Sequence, residues 1–259
     1  MIKTYYYIPN KRWGRNFGDT LVKPILNWVS GGEEVQHVHK KTPGKVLCIG
    51  SGLVNEGVLQ PGDTIWGYGA RYTKPIPLPD DVKFLAVRGP KTRALYPDVC
   101  PEIYGDPAIL MPLIYTPKDL VNRYSVGIIP HYIDMPLFKD KKFLEDPSLL
   151  LIDVTQPYED TIDQINACDM IISTSLHGCI VSEAYGKPVV WLQVSDRIQG
   201  AAFKFNDYFT GSGRGLQEPV KLVNIGPRNI GKATRERFWL PKPIHDREGL
   251  MFAWREIWT

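Results

Sequence analysis

The densest run of side chains able to do chemistry is Ser173-Thr174-Ser175-Leu176-His177-Gly178. Before it, Asp169-Met170-Ile171-Ile172 is a short apolar run that reads as a buried strand. After it, Cys179 to Tyr185 reads as a helix, stopped by Gly186 and Pro188. Ser173, Ser175 and His177 therefore stand where a strand gives way to a helix. At that edge of an open parallel sheet, free amides and the helix dipole favour an anion. The amides of Leu176 and Gly178 are the donors such a turn offers, and an imidazole there can move a proton near neutral pH. The same residues also suit an ordinary cap, since Ser and Thr are common N-caps and a first-turn His is often only a hydrogen-bonding residue.

Other candidates stand at comparable junctions. Ser125 to Ile129 reads as a strand running into Pro130-His131, which brings His131 to the same sheet edge as His177. Phe84 to Val87 reads as a strand ending in Arg88-Gly89-Pro90, and Pro90 suits the first turn of a helix. Arg88 at that strand end has the fork that grips a carboxylate or phosphate; its plainer role is a salt bridge tying the loop. Near the start, Tyr5 to Ile8 reads as the first strand and leads to Asn16-Phe17-Gly18-Asp19. Asp19 or Thr20 caps a helix whose apolar face is Leu21, Val22, Ile25, Leu26 and Val29. Asp106, in Gly105-Asp106-Pro107, suits either a substrate hydroxyl or an Asx-turn. Lys204 and Arg214 lie in an aromatic, glycine-rich stretch whose amides could form an anion nest. Gly50-Ser51-Gly52 lacks the third glycine of a dinucleotide fingerprint, whose place is Asn55. It implies a close backbone approach, not a nicotinamide cofactor.

Composition sets the outer limits. The chain has 259 residues, 43% apolar and 23% charged, as in an ordinary globular protein. Its net charge of +3 and pI near 8.5 suit a small anionic ligand and are too weak to argue for nucleic acid. Cys48, Cys100, Cys168 and Cys179 form no close pair, which argues against a zinc knuckle and fits a reducing compartment. The first residues carry no apolar signal core, and no stretch approaches the roughly 20 apolar residues of a membrane span. We expect a cytoplasmic protein, compatible with peripheral attachment at the inner membrane face, that needs no metal and no cofactor.

These candidates require a scaffold of alternating strands and helices. The fold class is α/β, with a domain boundary in the proline-containing segment from Pro112 to Asn122. This gives domains 1–116 and 117–259. The second holds strand candidates at Ser125 to Ile129, Leu149 to Ile152, Asp169 to Ile172 and Val189 to Leu192. Helices are expected at Leu137 to Leu144 and Pro157 to Ala167. The alternation is expected to stop after Gln193, and a last helix, Arg247 to Trp258, to pack back across the junction.

Seven segments in order resemble the polysaccharide pyruvyl transferase family, in its exopolysaccharide branch. They are Asn16 to Asp19, Gly50 to Gly52, Val87 to Pro90, Gly105 to Pro107, Pro130-His131, Ser173 to Gly178 and Phe203 to Arg214. The resemblance implies two Rossmann-like domains facing across a cleft, as in GT-B glycosyltransferases. It implies transfer of pyruvate from phosphoenolpyruvate onto two hydroxyls of a sugar acceptor, lipid-linked or free, giving a cyclic ketal and phosphate. On that reading His177 and His131 exchange protons. Arg88, Lys204 and Arg214 hold the anions, with Ser173, Ser175 and the amides of Leu176 and Gly178. Asn16, Gly18, Asp19 and Asp106 face the sugar from the first domain. One position departs from the pattern: many relatives carry an Arg two residues before the central histidine, where this chain has Ser175. A glycosyltransferase using a nucleotide sugar, and a non-catalytic sugar- or anion-binding relative, are the alternatives.

Overall fold

The computed structural model describes residues 1–8, 16–121, 123–138, 145–222, 230 and 241–256. Its two sheets are each five-stranded and parallel throughout. The first holds β1 (Ile2–Thr4), β2 (Val35–His37), β3 (Val46–Leu47), β4 (Thr64–Trp66) and β5 (Lys83–Ala86), in the order β2-β1-β3-β4-β5. The second holds β6 (Tyr124–Ile129), β7 (Leu149–Leu151), β8 (Cys168–Ser173), β9 (Val189–Gln193) and β10 (Val220–Lys221), in the order β10-β9-β8-β6-β7. Counted from its own first strand, each sheet is ordered 2-1-3-4-5. The chain has built the same doubly wound sheet twice without a visible sequence repeat. In such a sheet the strand order reverses beside the first strand, and ligands settle at the carboxyl ends there.

The helices form where apolar spacing and breakers dictate. α1 (Phe17–Thr20) and α2 (Val22–Val29) follow β1, with Val22, Ile25 and Leu26 buried. α3 (Pro90–Arg93) opens on Pro90, whose missing N–H costs nothing at that place. A 3-10 segment, Pro107–Leu113, leads out of the first sheet. α4 (Met135–Phe138) covers the start of the helix expected from Leu137; residues 139–144 lie outside the described residues. α5 (Tyr158–Asn166) and α6 (Leu176–Ala184) flank β8. All nine residues of α6 are buried.

Two expectations are corrected, and one strand was missed. The first strand is Ile2–Thr4, not Tyr5 to Ile8, because Ile2 and Thr4 alternate inward while the tyrosines follow the strand end. The alternation does not stop at Gln193: α7 (Ala201–Gly211) and then β10 continue it. β2 went unread because it is a three-residue edge strand with no fully buried position.

One apolar core runs through both halves, from Phe17, Leu21 and Ile25 to Ile162, Cys179 and Val181. α8 (Arg247–Arg255) joins it to the first sheet. Trp66 Nε1 donates to the Leu250 carbonyl at 2.8 Å, and the Trp66 and Trp254 rings meet at 4.9 Å. Arg247 bonds the carbonyls of Ile109 and Ala184, one from each half. Among the described residues no helix is long and apolar enough to cross a membrane.

Candidate active site

The candidate site forms where loops from the two sheets come together around His177. The first sheet supplies the turn after β1, with Asn16, Gly18 and Asp19, and Asp106 beyond β5. The second supplies His131 after β6, and Thr174 to His177 after β8.

β8 ends in a fixed polar turn. Ser173 Oγ donates within reach of the Ile129 and Ser175 carbonyls, at 2.9 and 3.0 Å, and accepts from the Ser175 amide. Ser175 is the N-cap of α6; its Oγ accepts from the Gly178 amide at 3.3 Å. Ser173, Ser175 and Gly178 thus shape the turn with their own polar groups, and Leu176 opens the helix. Thr174 Oγ1 accepts from the His131 amide at 2.8 Å, which ties the two histidine-bearing loops together.

His177 is 9% exposed and lies between two parts of the first half. On one side is Gly18: a Cβ there would lie 2.2 Å from His177 Nδ1, so only glycine lets the loop approach the ring. On the other side Nε2 comes within 3.5 Å of Asp106 Oδ2. Neither atom has another hydrogen-bond partner among the described residues. Asp106 Oδ1 meanwhile accepts from the Ala108 amide at 3.0 Å and starts the 3-10 segment, so one carboxylate serves the turn and the histidine. Polar atoms left buried with only a long contact cost about 1–3 kcal/mol each, and proteins keep them where function needs them.

The surrounding charges are perturbed. Burial pushes Asp19 up to about 6, although His177, the Asn16 amide and Lys204 pull it down. Asn16 Nδ2 donates to Asp19 Oδ2 at 2.7 Å. Burial pulls Lys204 down to about 7; Arg71 and Arg88 add to this, and Asp19 and Asp134 oppose it. Burial, with Lys204 and His177 nearby, pulls His131 down to about 3. His131 is therefore neutral at physiological pH. Its Nδ1 accepts from the Ile133 amide, which places the ring proton on Nε2. In this state its Nε2–H is a hydrogen-bond donor. Asp134, fully buried, accepts from Ser195 Oγ at 2.6 Å, and burial raises its pKa.

Two of the expected anion-binding cations are engaged elsewhere. Arg88 is fully buried and donates to Asp207, Gly50 O, Ser51 Oγ and Ala70 O. Asp207 also accepts from the Thr92 amide and hydroxyl, so the group clamps α3 to α7. Arg214 is 7% exposed; it pairs with Glu183 at 2.6 Å and lies over the rings of Tyr208 and Phe209. Both guanidiniums meet protein carboxylates, and the plain structural role describes their placement. Of the three expected cations, Lys204 is the one among Asp19, Asp134 and His131. The Gly50 and Gly52 backbone approaches the Tyr68 ring, as the failed dinucleotide pattern allowed. Sequence reading missed the Asp106–His177 approach, Asp134 and Arg71. Their partners are distant in the chain, and no local pattern marks them.

The arrangement offers a carboxyl group titrating near 6, an amine near 7, a histidine backed by a carboxylate and a neutral imidazole donor. That set suits acid–base chemistry on an anionic substrate.

The sequence pattern described as polysaccharide pyruvyl transferase matches residues 78–196. The chain is 34% identical over 155 residues to "Uncharacterized protein L143" of Acanthamoeba polyphaga mimivirus, covering 56% of this chain and 53% of that protein. It is 27% identical over 253 residues to "Succinoglycan biosynthesis protein ExoV" of Rhizobium meliloti (strain 1021), covering 92% of this chain and 73% of that protein. The match thus spans about half the length of the first relative. No solved structure matches. The pattern across residues 78–196, with the likeness to ExoV along most of the chain, makes this protein similar to the polysaccharide pyruvyl transferase family.

Proposed function

We propose that the protein transfers pyruvate from phosphoenolpyruvate to two hydroxyls of a sugar in a polysaccharide or its precursor. The products are a cyclic ketal and phosphate. In this reading the two sheets are Rossmann-like units facing each other in the GT-B manner, 1–116 on the acceptor side and 117–259 on the donor side. The observation that carries it is the His177–Asp106 approach: two buried polar atoms 3.5 Å apart, beside the start of α6.

The chemistry needs an acid, a base and positive charge. The methylene carbon of phosphoenolpyruvate takes a proton, and C2 becomes electrophilic. One sugar hydroxyl adds to C2 and loses its proton. The C2–O bond to phosphate breaks, and the second hydroxyl closes the ring as its proton leaves. Two hydroxyl protons are thereby replaced by one on the new methyl group and one on phosphate.

Asp19, titrating at about 6, holds a proton often enough to donate it and is a competent base once ionised. Asp106 orients His177 and stabilises its cation when it takes a proton, as carboxylates do behind catalytic histidines. Neutral His131 donates a hydrogen bond to a developing oxyanion. Lys204, pulled down to about 7 by burial, becomes fully charged when an anion arrives beside it.

The test is phosphate release from phosphoenolpyruvate with a panel of oligosaccharide acceptors, beside titration of nucleotide sugars. We expect acceptor-dependent release by the native protein and a loss of about 10²–10⁴-fold in His177→Ala with native circular dichroism. Near-native turnover in that variant, or binding of nucleotide sugars in place of phosphoenolpyruvate, rejects the proposal.

A further inference from the structure

Resting on that reading, the question is which cation holds the donor. Phosphoenolpyruvate brings a phosphate and a carboxylate, and Arg88 and Arg214 are paired with Asp207 and Glu183. We propose that Arg71, in the loop after β4, is the arginine that binds the donor's anionic end, opposite Lys204 on α7.

Three observations support this. First, Arg71 is partly exposed and lines a cleft of about 440 Å³ between the loop after β4 and the segment from Gln193 to Phe203. Second, its Nε donates to the Ser51 carbonyl at 2.9 Å, which fixes the guanidinium plane; among the described residues its terminal nitrogens have no hydrogen-bond partner. A guanidinium held by one edge presents the other to a planar anion. Third, α7 is seated on Arg71 itself. Gly200 caps α7 at φ 62°, and a Cβ there would lie 2.3 Å from the Arg71 carbonyl oxygen. Lys204 follows one turn on, its amide bonded to Gly200 O at 2.9 Å. One backbone contact between the halves thus ties the Arg71 loop to the first turn of the helix that carries Lys204. Burial is the main cause of the lowered Lys204 pKa, and the positive charge of Arg71 adds to it.

The test compares native protein, Arg71→Gln and Arg71→Lys by calorimetry with phosphoenolpyruvate, inorganic phosphate and pyruvate, and by steady-state kinetics. We expect Arg71→Gln to weaken phosphoenolpyruvate binding and raise its KM about 10–100-fold, with kcat changed less than about threefold. Loss of pyruvate affinity assigns the carboxylate to Arg71; loss of phosphate affinity assigns the phosphate. Removing the guanidinium charge also moves the Lys204 limb of the pH profile upward, against the unchanged influence of Arg88, Asp19 and Asp134. That shift follows from the Arg71 charge alone; the lost phosphoenolpyruvate affinity is the readout a merely structural role would not give, and Arg71→Lys should partly restore both. Native phosphoenolpyruvate affinity in Arg71→Gln overturns the assignment while leaving the transferase reading intact. Failure of the native protein to bind phosphoenolpyruvate overturns both.

Discussion

Replacing Asp19 by Asn should make the protein more stable and less active. The carboxyl group is 7% exposed, and burial raises it from 3.8 to about 6. Between those pH values the unfolded chain has lost this proton and the folded chain still holds it. The folded state therefore binds more protons, and stability falls as pH rises from about 4 to about 6, then levels. The shift is roughly two pH units. At about 1.4 kcal/mol per unit, the ionised group costs the fold about 3 kcal/mol at neutral pH. Asn removes that charge, keeps the volume and can still accept from Asn16 Nδ2. For a chain of this size, about 3 kcal/mol corresponds to a rise in Tm of about 6–12 °C. The assay is thermal melting of both proteins at pH 4.5 and pH 7.5. The difference should be near zero at the lower pH and largest at the higher one, while phosphate release in the variant falls at least about 10²-fold. An equal Tm at pH 7.5, or a gain of similar size at pH 4.5, would refute the argument that buried ionisation is the cause.

Lys204 gives the opposite pH dependence. Its pKa falls from 10.5 to about 7, so the unfolded chain binds the extra proton between those values and stability rises with pH across them. Lys204→Met should remove that rise in melts from pH 7 to 10. Gly18→Ala places a methyl group 2.2 Å from His177 Nδ1; turnover should fall about 10²-fold or more, read by phosphate release, because the ring or the loop must move. Asp207→Asn leaves the buried Arg88 guanidinium without its carboxylate and should cost about 3–5 kcal/mol in denaturant melts. Arg214→Met should likewise lower stability, and phosphoenolpyruvate affinity by calorimetry should change less than about threefold, because Arg214 is committed to Glu183.

Legibility in the sequence followed physical cause. The central strands β6, β8 and β9 are buried, so their apolar runs stand out between breakers, and the helix after Ser175 announces itself by its cap. α7 was hidden because Phe203, Phe205, Tyr208 and Phe209 are mixed with Asn206, Asp207, Thr210 and Gly211, a composition that also suits a loop; packing decides. His177 and His131 could be named from their places at strand ends, Asp19 and Asp106 from turns beside glycines, and Lys204 from its aromatic, glycine-rich stretch. Their relationship could not. Asp106 reaches His177 because two sheets meet, and no spacing rule spans that distance. The same gap hid the partners of Arg88 and Arg214. Their guanidiniums were legible as cations, but Asp207 and Glu183 lie on helices far along the chain. Arg71 follows Gly67-Tyr68-Gly69-Ala70 with no motif of its own, and only the seat of α7 on its backbone gives it meaning.

The most direct measurement is a crystal structure of the protein soaked with phosphoenolpyruvate. The account predicts the ligand where loops from the two sheets come together, with an oxygen within about 3 Å of a His177 nitrogen and its charge shared by Lys204. Density in the groove lined by Arg123, Asp146 and Leu149 instead, or none beside His177 at saturating ligand, would contradict it.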